Sequence, residues 1–196
     1  MSKQTKAITY KQLYGEAGLI YLQAPAIIET KPDGKTKKIK GSPFPKHAGI
    51  TQQPKYGPNA GDYYTLKMGT EFKPGRWAVL LDFDNKTEGD FKNGMELVKK
   101  LKMNQYEAPK QLTPSKGCHY IFYLDDEQAK QMTSNSINNI TYQGEQYAVD
   151  VKFKNQLCNC WPSKIPGYGE YGWVEGSFEK LKNIPQLPKE LLLGDP

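Results

Sequence analysis

Apolar positions along the chain fall into short blocks separated by glycine, proline and charge, and each block has its own period. Residues 7 to 24 mix helical spacing with apolar stretches. Ala26 to Thr30 then runs into Pro32-Asp33-Gly34, which predicts a hairpin turn. From Gly41 to Gly61 proline and glycine recur so often that a long irregular connection is expected, a kind of segment that often carries function. Trp77-Ala78-Val79-Leu80-Leu81-Asp82-Phe83-Asp84 is apolar until it ends in acids, which predicts a buried strand, with a helix after it from about Glu88 to Met103. Gln111 to Thr113 leads into the turn Pro114-Ser115-Lys116-Gly117, and Cys118 to Leu124 (CHYIFYL) is strongly β-prone. A short helix near Asp126 to Thr133 follows, then an alternating strand, Tyr147 to Phe153, that carries Asp150. The tail from Trp161 onward is again rich in glycine, proline and aromatic residues, and the chain has neither an internal repeat nor a low-complexity tract.

At 196 residues the chain is long enough for one substantial domain or two small modules sharing a core. A domain of this size buries roughly 70% of the surface its unfolded chain exposes. Hydrophobic residues at 37% and charged residues at 24% describe a globular rather than a disordered chain. No apolar run approaches the roughly 18 residues of a membrane span, and MSKQTKAITY lacks the apolar region of a signal peptide, so a soluble intracellular protein is expected. Cys118, Cys158 and Cys160 cannot all pair within one chain, and reduced thiols are expected.

Charge changes the picture more than composition does. The net charge is +6, and the segment from Lys31 to Lys46 holds six lysines against the single acid Asp33. That patch suits a polyanion, with Lys35, Lys37, Lys38 and Lys40 as candidate nucleic-acid contacts; the plainer reading is a solvated hairpin. Arg76 is the only arginine in the chain. Base-specific readout favours the bidentate fork of arginine, so contact with backbone phosphates, indifferent to sequence, is expected.

The candidate chemistry sits at strand ends. Asp82 and Asp84 are two residues apart and project from one strand face, and paired carboxylates attract hard divalent cations such as magnesium or manganese. Asp150, in the middle of an otherwise apolar strand, is costly to bury unless it is paired or bound to a cation. Three acids on neighbouring strands allow a two-metal site of the kind that clamps the attacking and leaving oxygens of a phosphoryl transfer. Lys152, two positions after Asp150, shares its face; it suits the triphosphate of a nucleotide, or a simple salt bridge to one of the acids. Ser115-Lys116-Gly117-Cys118-His119 gathers a hydroxyl, an ammonium, a flexible glycine and an imidazole within one turn, the donors that a phosphate needs. His47, in the proline-rich loop, has no evident partner and reads as a surface residue.

Taken in order and spacing, Leu81-Asp82-Phe83-Asp84, then Ser115 and His119, then Val149-Asp150 resemble the three motifs of the archaeo-eukaryotic primase superfamily. The text Thr113-Pro114-Ser115-Lys116-Gly117-Cys118-His119-Tyr120-Ile121-Phe122 is similar to the second motif of the bifunctional primase-polymerase N-terminal domains. Trp161-Pro162-Ser163 and Tyr171-Gly172-Trp173 resemble their segment after the third motif. The likeness spans about residues 60 to 192, and one departure is Lys116, where the family commonly has glycine. The resemblance implies an α+β fold of two modules in one compact domain. Residues 1–60 would form an N-terminal α/β module with the basic hairpin and the proline/glycine-rich loop, and residues 61–196 an RRM-like antiparallel sheet carrying the active site. It implies that Asp82, Asp84 and Asp150 bind two catalytic Mg²⁺ or Mn²⁺ ions, that Ser115 and His119 hold the nucleotide phosphates, and that primers are made or extended on a template; Lys116 and Lys152 join them as candidate nucleotide contacts by their charge and position. The implied partners are a single-stranded DNA template, NTPs or dNTPs, and a helicase in the same polypeptide or replisome, as in viral, phage and plasmid systems.

Two other classes compete. A non-catalytic single-stranded nucleic-acid-binding module would use the lysine patch and exposed tyrosines, and leaves the acidic triad unexplained. A metal-dependent glycosyltransferase or nuclease built on Asp-x-Asp explains Asp82 and Asp84 but neither the Ser115/His119 turn nor Asp150. Zinc is not expected, because Cys118, Cys158 and Cys160 lack a fourth ligand.

Overall fold

The computed structural model describes residues 9–24, 27–30, 32, 36–39, 49–55, 63–87, 89–165 and 169–191, a mixture of helices and antiparallel sheets. Helix α1 (Tyr10–Ala17) is followed by strands β1 (Tyr21–Ala24), β2 (Ile27–Thr30), β3 (Thr36–Ile39), β4 (Tyr63–Lys67), β5 (Glu71–Lys73) and β6 (Arg76–Phe83). Helix α2 (Gly94–Lys100) precedes β7 (Lys110–Leu112) and β8 (Cys118–Leu124). Helix α3 (Asp126–Gln131) precedes β9 (Ser136–Ile137), β10 (Thr141–Tyr142), β11 (Glu145–Gln146), β12 (Val149–Lys152) and β13 (Leu157–Asn159). Strands β14 (Lys164–Ile165), β15 (Gly169–Glu170) and β16 (Gly172–Trp173) lead to α4 (Ser177–Lys180).

The largest sheet has the order β16-β7-β8-β6-β12-β9, with β5 paired to one end of β6. A smaller sheet runs β1-β4-β13, and β2 pairs with β3 as the hairpin that the turn residues predict. Strand β6 lies at the centre and is buried on both faces, which is why it reads as continuously apolar. Val79, Leu81 and Phe83 pack with Leu97 and Val98 of α2, Ala129 of α3 and Val149 and Val151 of β12. Ala78 and Leu80 face the other way and join Ile121, Leu66 and Cys158 with Leu13, Tyr14 and Ala17 of α1. The second core therefore lies between the large sheet and the layer formed by α1 and the small sheet.

Helix α2 is shorter than the spacing predicts, and the reason lies outside the helix. Lys92 pairs in strand fashion, donating its N–H to Gln146 and accepting from Ala148, so it cannot join a helix. Asn93 caps the helix, its Oδ1 accepting from the Met95 N–H at 2.8 Å. Gly94 donates its N–H to the Asp84 carbonyl at 3.0 Å, and a Cβ there would collide with the Ala148 and Asp84 carbonyls. At the far end Lys102 turns to φ +48°, and Met103–Tyr106 forms a separate 3-10 turn. Strand β12 is likewise shorter than Tyr147 to Phe153, because Ala148 turns its N–H away from β6 to the Lys92 carbonyl at 2.8 Å and Val149 donates back to the Tyr147 carbonyl at 2.7 Å.

The aromatic tail fastens α1 and β4 beside the large sheet. Tyr14 donates its hydroxyl to the Trp161 carbonyl at 2.6 Å and accepts from the Trp173 indole at 3.2 Å. The Ser163 hydroxyl accepts from the Tyr64 N–H at 2.8 Å and donates to the Tyr64 carbonyl at 2.9 Å.

Candidate active site

One row of side chains crosses four strands of the large sheet. Gln111 of β7 lies opposite His119 of β8, His119 opposite Asp82 of β6, and Asp82 opposite Asp150 of β12. Because directly opposed residues share a face, all four project to the side that carries Ala78, Leu80 and Ile121. The apolar face between the sheets thus turns polar at the C-terminal end of β6. A small cleft of about 80 Å³ opens there, lined by Asp82, His119 and Lys152 from the large sheet, Leu157, Cys158 and Asn159 from the small one, and Tyr171.

Each acid in the row has a partner. The Asp82 carboxylate lies 3.2 Å from His119 Nε2. Asp150 lies 2.6 Å from the Lys152 ammonium and accepts the Asn139 N–H at 3.1 Å, so the acid in the apolar strand is paired as its burial demands. Lys152 is held above the usual lysine range: burial works against its charge, but the hydrogen bond and charge of Asp150, with the charge of Asp82, outweigh it. Asp84 lies just beyond the end of β6 and pairs with Lys86 at 3.1 Å. Its carboxyl is nonetheless raised above the ordinary aspartate range, by burial first, then by the negative charge of Asp82, with a further contribution from Asp150.

The turn before β8 is closed by backbone bonds from Thr113 to Gly117 and from Lys116 to Thr113, and the Thr113 hydroxyl accepts the Gly117 N–H at 3.1 Å. Ser115 is exposed, its Oγ 3.0 Å from that of Thr113. Lys116 is also exposed and takes φ +63°, the left-handed region in which glycine is at ease, which gives the departure from glycine at this position a physical meaning. Gly117 packs on the chain that carries Asp84. A Cβ on it would strike the Phe83 carbonyl and lie 3.2 Å from the Asn85 nitrogen.

The structure therefore brings Asp82, His119, Asp150 and Lys152 together, sets Asp84 at the end of the row, and places Ser115 and Lys116 in the neighbouring turn rather than in the wall of the cleft. Lys35 and Lys40 lie outside the described residues, as does His47; of Lys37 and Lys38 the backbone of β3 is described. Sequence reasoning missed Gln111, which is 1% exposed, and Asn159. The only signal for Gln111 was alternation that places it on the His119 side of a short strand. Cys118, Cys158 and Cys160 are buried thiols, and burial pushes the Cys118 thiol up to about 11.

No group of three or more His, Cys, Asp or Glu side chains is arranged around a common point among the described residues. The donor chemistry still suits a hard divalent cation. Carboxylates of Asp82, Asp84 and Asp150 gather at the C-terminal end of β6, and after burial the negative charge of Asp82 is the next cause that raises the Asp84 carboxyl. Among the described residues no helix is long and apolar enough to cross a membrane.

The family model described as Prim-Pol, bifunctional DNA primase/polymerase, N-terminal, matches residues 24–190. The match covers most of the chain and begins well before the motifs that carry the resemblance. No curated protein matches the chain.

Proposed function

Since the chain belongs to the bifunctional DNA primase/polymerase N-terminal family, we propose that it is a template-dependent nucleotidyltransferase that makes or extends primers from NTPs or dNTPs. The observation that carries the reading is the row His119, Asp82, Asp150, with Lys152 beside it, at the polar end of the face between two sheets. The large sheet, with α2 and α3 on one face, is read as the RRM-like sheet of a module at 61–196, and residues 1–60 as the N-terminal module that would guide the template, with β4 and β13 of the later span pairing alongside β1 of the earlier one.

In this reading Asp82, Asp84 and Asp150 would hold two Mg²⁺ or Mn²⁺ ions. Bound divalent ions would supply charge neutralisation and Lewis acidity for an in-line displacement at the α-phosphate. Attack by the primer 3′-hydroxyl forms the new phosphodiester bond as the bond to pyrophosphate breaks. His119 and Lys152 offer N–H donors in the cleft, and Ser115 and Lys116 offer a hydroxyl and an ammonium from the adjoining turn, which suits the oxygens of the leaving pyrophosphate. Lys35, Lys37, Lys38 and Lys40 are assigned to the template backbone, and a helicase, in the same polypeptide or replisome, is the expected partner.

Three substrates offered in parallel with magnesium or manganese test the reading: labelled nucleotides on primed and unprimed single strands, sugar nucleotides, and labelled DNA alone. Nucleotide incorporation without sugar transfer or DNA cleavage is expected. Silence on all three with retained strand binding would turn the assignment to a non-catalytic binding module.

A further inference from the structure

Behind His119, on the side away from Asp82, sits a buried amide whose orientation is fixed by groups with only one hydrogen-bonding role. The Trp161 backbone N–H can only donate, and it reaches Gln111 Oε1 at 2.6 Å. The Asn159 carbonyl can only accept, and it receives Gln111 Nε2 at 3.1 Å. The Gln111 amide therefore cannot be turned round, and its second Nε2 hydrogen points to His119 Nδ1, 3.1 Å away. A nitrogen that receives an N–H must offer its lone pair. In the neutral ring the proton is then on Nε2, the nitrogen that faces Asp82 and the cleft.

We propose that Gln111 is a positioning residue that holds His119 in the tautomer presenting an N–H donor to the cleft. The inference rests on the nucleotide-binding reading for its purpose, because the oxygens of a triphosphate accept and an imidazole lone pair facing them would repel. The same amide fixes the cleft wall: Asn159, whose carbonyl it holds, donates from Nδ2 to the Tyr171 hydroxyl at 2.9 Å, and the Tyr171 ring lies 5.8 Å from that of His119. Gln111 thus sets ring, tautomer and wall from one buried side chain. An apolar residue would fill its volume but leave the Trp161 N–H and Asn159 carbonyl without this partner.

The full chain labelled with ¹⁵N-histidine tests this directly, since it has two histidines and His119→Ala identifies the signal of His119. Once the pH has been raised until the ring signals stop changing, the expected spectrum shows His119 protonated on Nε2 with Nδ1 as a bare acceptor. Gln111→Glu keeps the shape but replaces the donor with an acceptor, and should bring a proton to Nδ1; Gln111→Met should give a mixture of tautomers. Both variants should raise the nucleotide KM roughly tenfold, with a smaller change in kcat. A wild-type ring protonated on Nδ1, or a tautomer unchanged in folded Gln111→Glu and Gln111→Met, overturns the proposal. Because the spectrum needs no activity, absent nucleotide incorporation alongside the expected tautomer would count against the functional reading instead.

Discussion

Lys116 holds a side chain in a backbone conformation that glycine adopts more easily, at the turn that faces the proposed triphosphate. Lys116→Gly should therefore raise stability by up to about 1 kcal/mol in urea unfolding, while the lost ammonium raises the nucleotide KM. A swap that improves the fold and weakens binding would separate the two roles of this residue. Gly117 shows the opposite constraint, since any Cβ meets the Phe83 carbonyl. Gly117→Ala should cost roughly 1–3 kcal/mol in the same measurement and displace the chain that carries Asp84. Asp82, Asp84, Asp150 and His119 were legible in the sequence because acids and an imidazole stand out against apolar strands. Gln111 was not, because its meaning comes from Asn159 and Trp161, which are distant in sequence and become neighbours only when β13 and the aromatic tail fold against the large sheet.

Helix α2 is held to β11, which leads into the strand that carries Asp150, by a surface clamp. Glu145 pairs with Lys92 and with Lys100, and the Tyr147 hydroxyl donates to it at 2.7 Å. The hydrogen bonds from Lys92, Tyr147 and Lys100 pull the Glu145 carboxyl down to about 2, from an ordinary value of 4.5. A depressed acid contributes stability that is present above its unfolded value and lost as pH falls through its folded value. Glu145→Gln should therefore lower the urea midpoint at neutral pH, with the gap to wild type narrowing between about pH 4.5 and pH 2. A gap independent of pH would contradict the clamp. The apolar pattern marks β6, β8, β12, α2 and α3, and the turn residues mark the β2–β3 hairpin, but β4 and β13 were not read from it, and the start of α2 could not be. It is set by the contact of Gly94 with the Asp84 and Ala148 backbones, a tertiary constraint that no helical period records.

For the whole molecule, the net charge of +6 and the lysine-rich stretch predict binding to single-stranded nucleic acid through phosphates rather than bases. If Lys35, Lys37, Lys38 and Lys40 each neutralise one phosphate, the logarithm of affinity should fall against that of salt with a slope of about −3. Replacing Lys37 and Lys38 with glutamine should then flatten the slope by about 1.4 in a binding titration. An unchanged slope would move the strand-binding surface elsewhere. The polar end of the face shared by the two sheets is where the acids, the imidazole and Lys152 meet. The central claim is that this row transfers nucleotides, and extension of a primed single-stranded template tests it most directly, with wild type and Asp82→Asn compared under magnesium or manganese after both are shown to be folded. The account predicts extension by wild type and a loss of roughly a hundredfold or more in the variant; a folded Asp82→Asn protein that extends the primer as wild type does would contradict it.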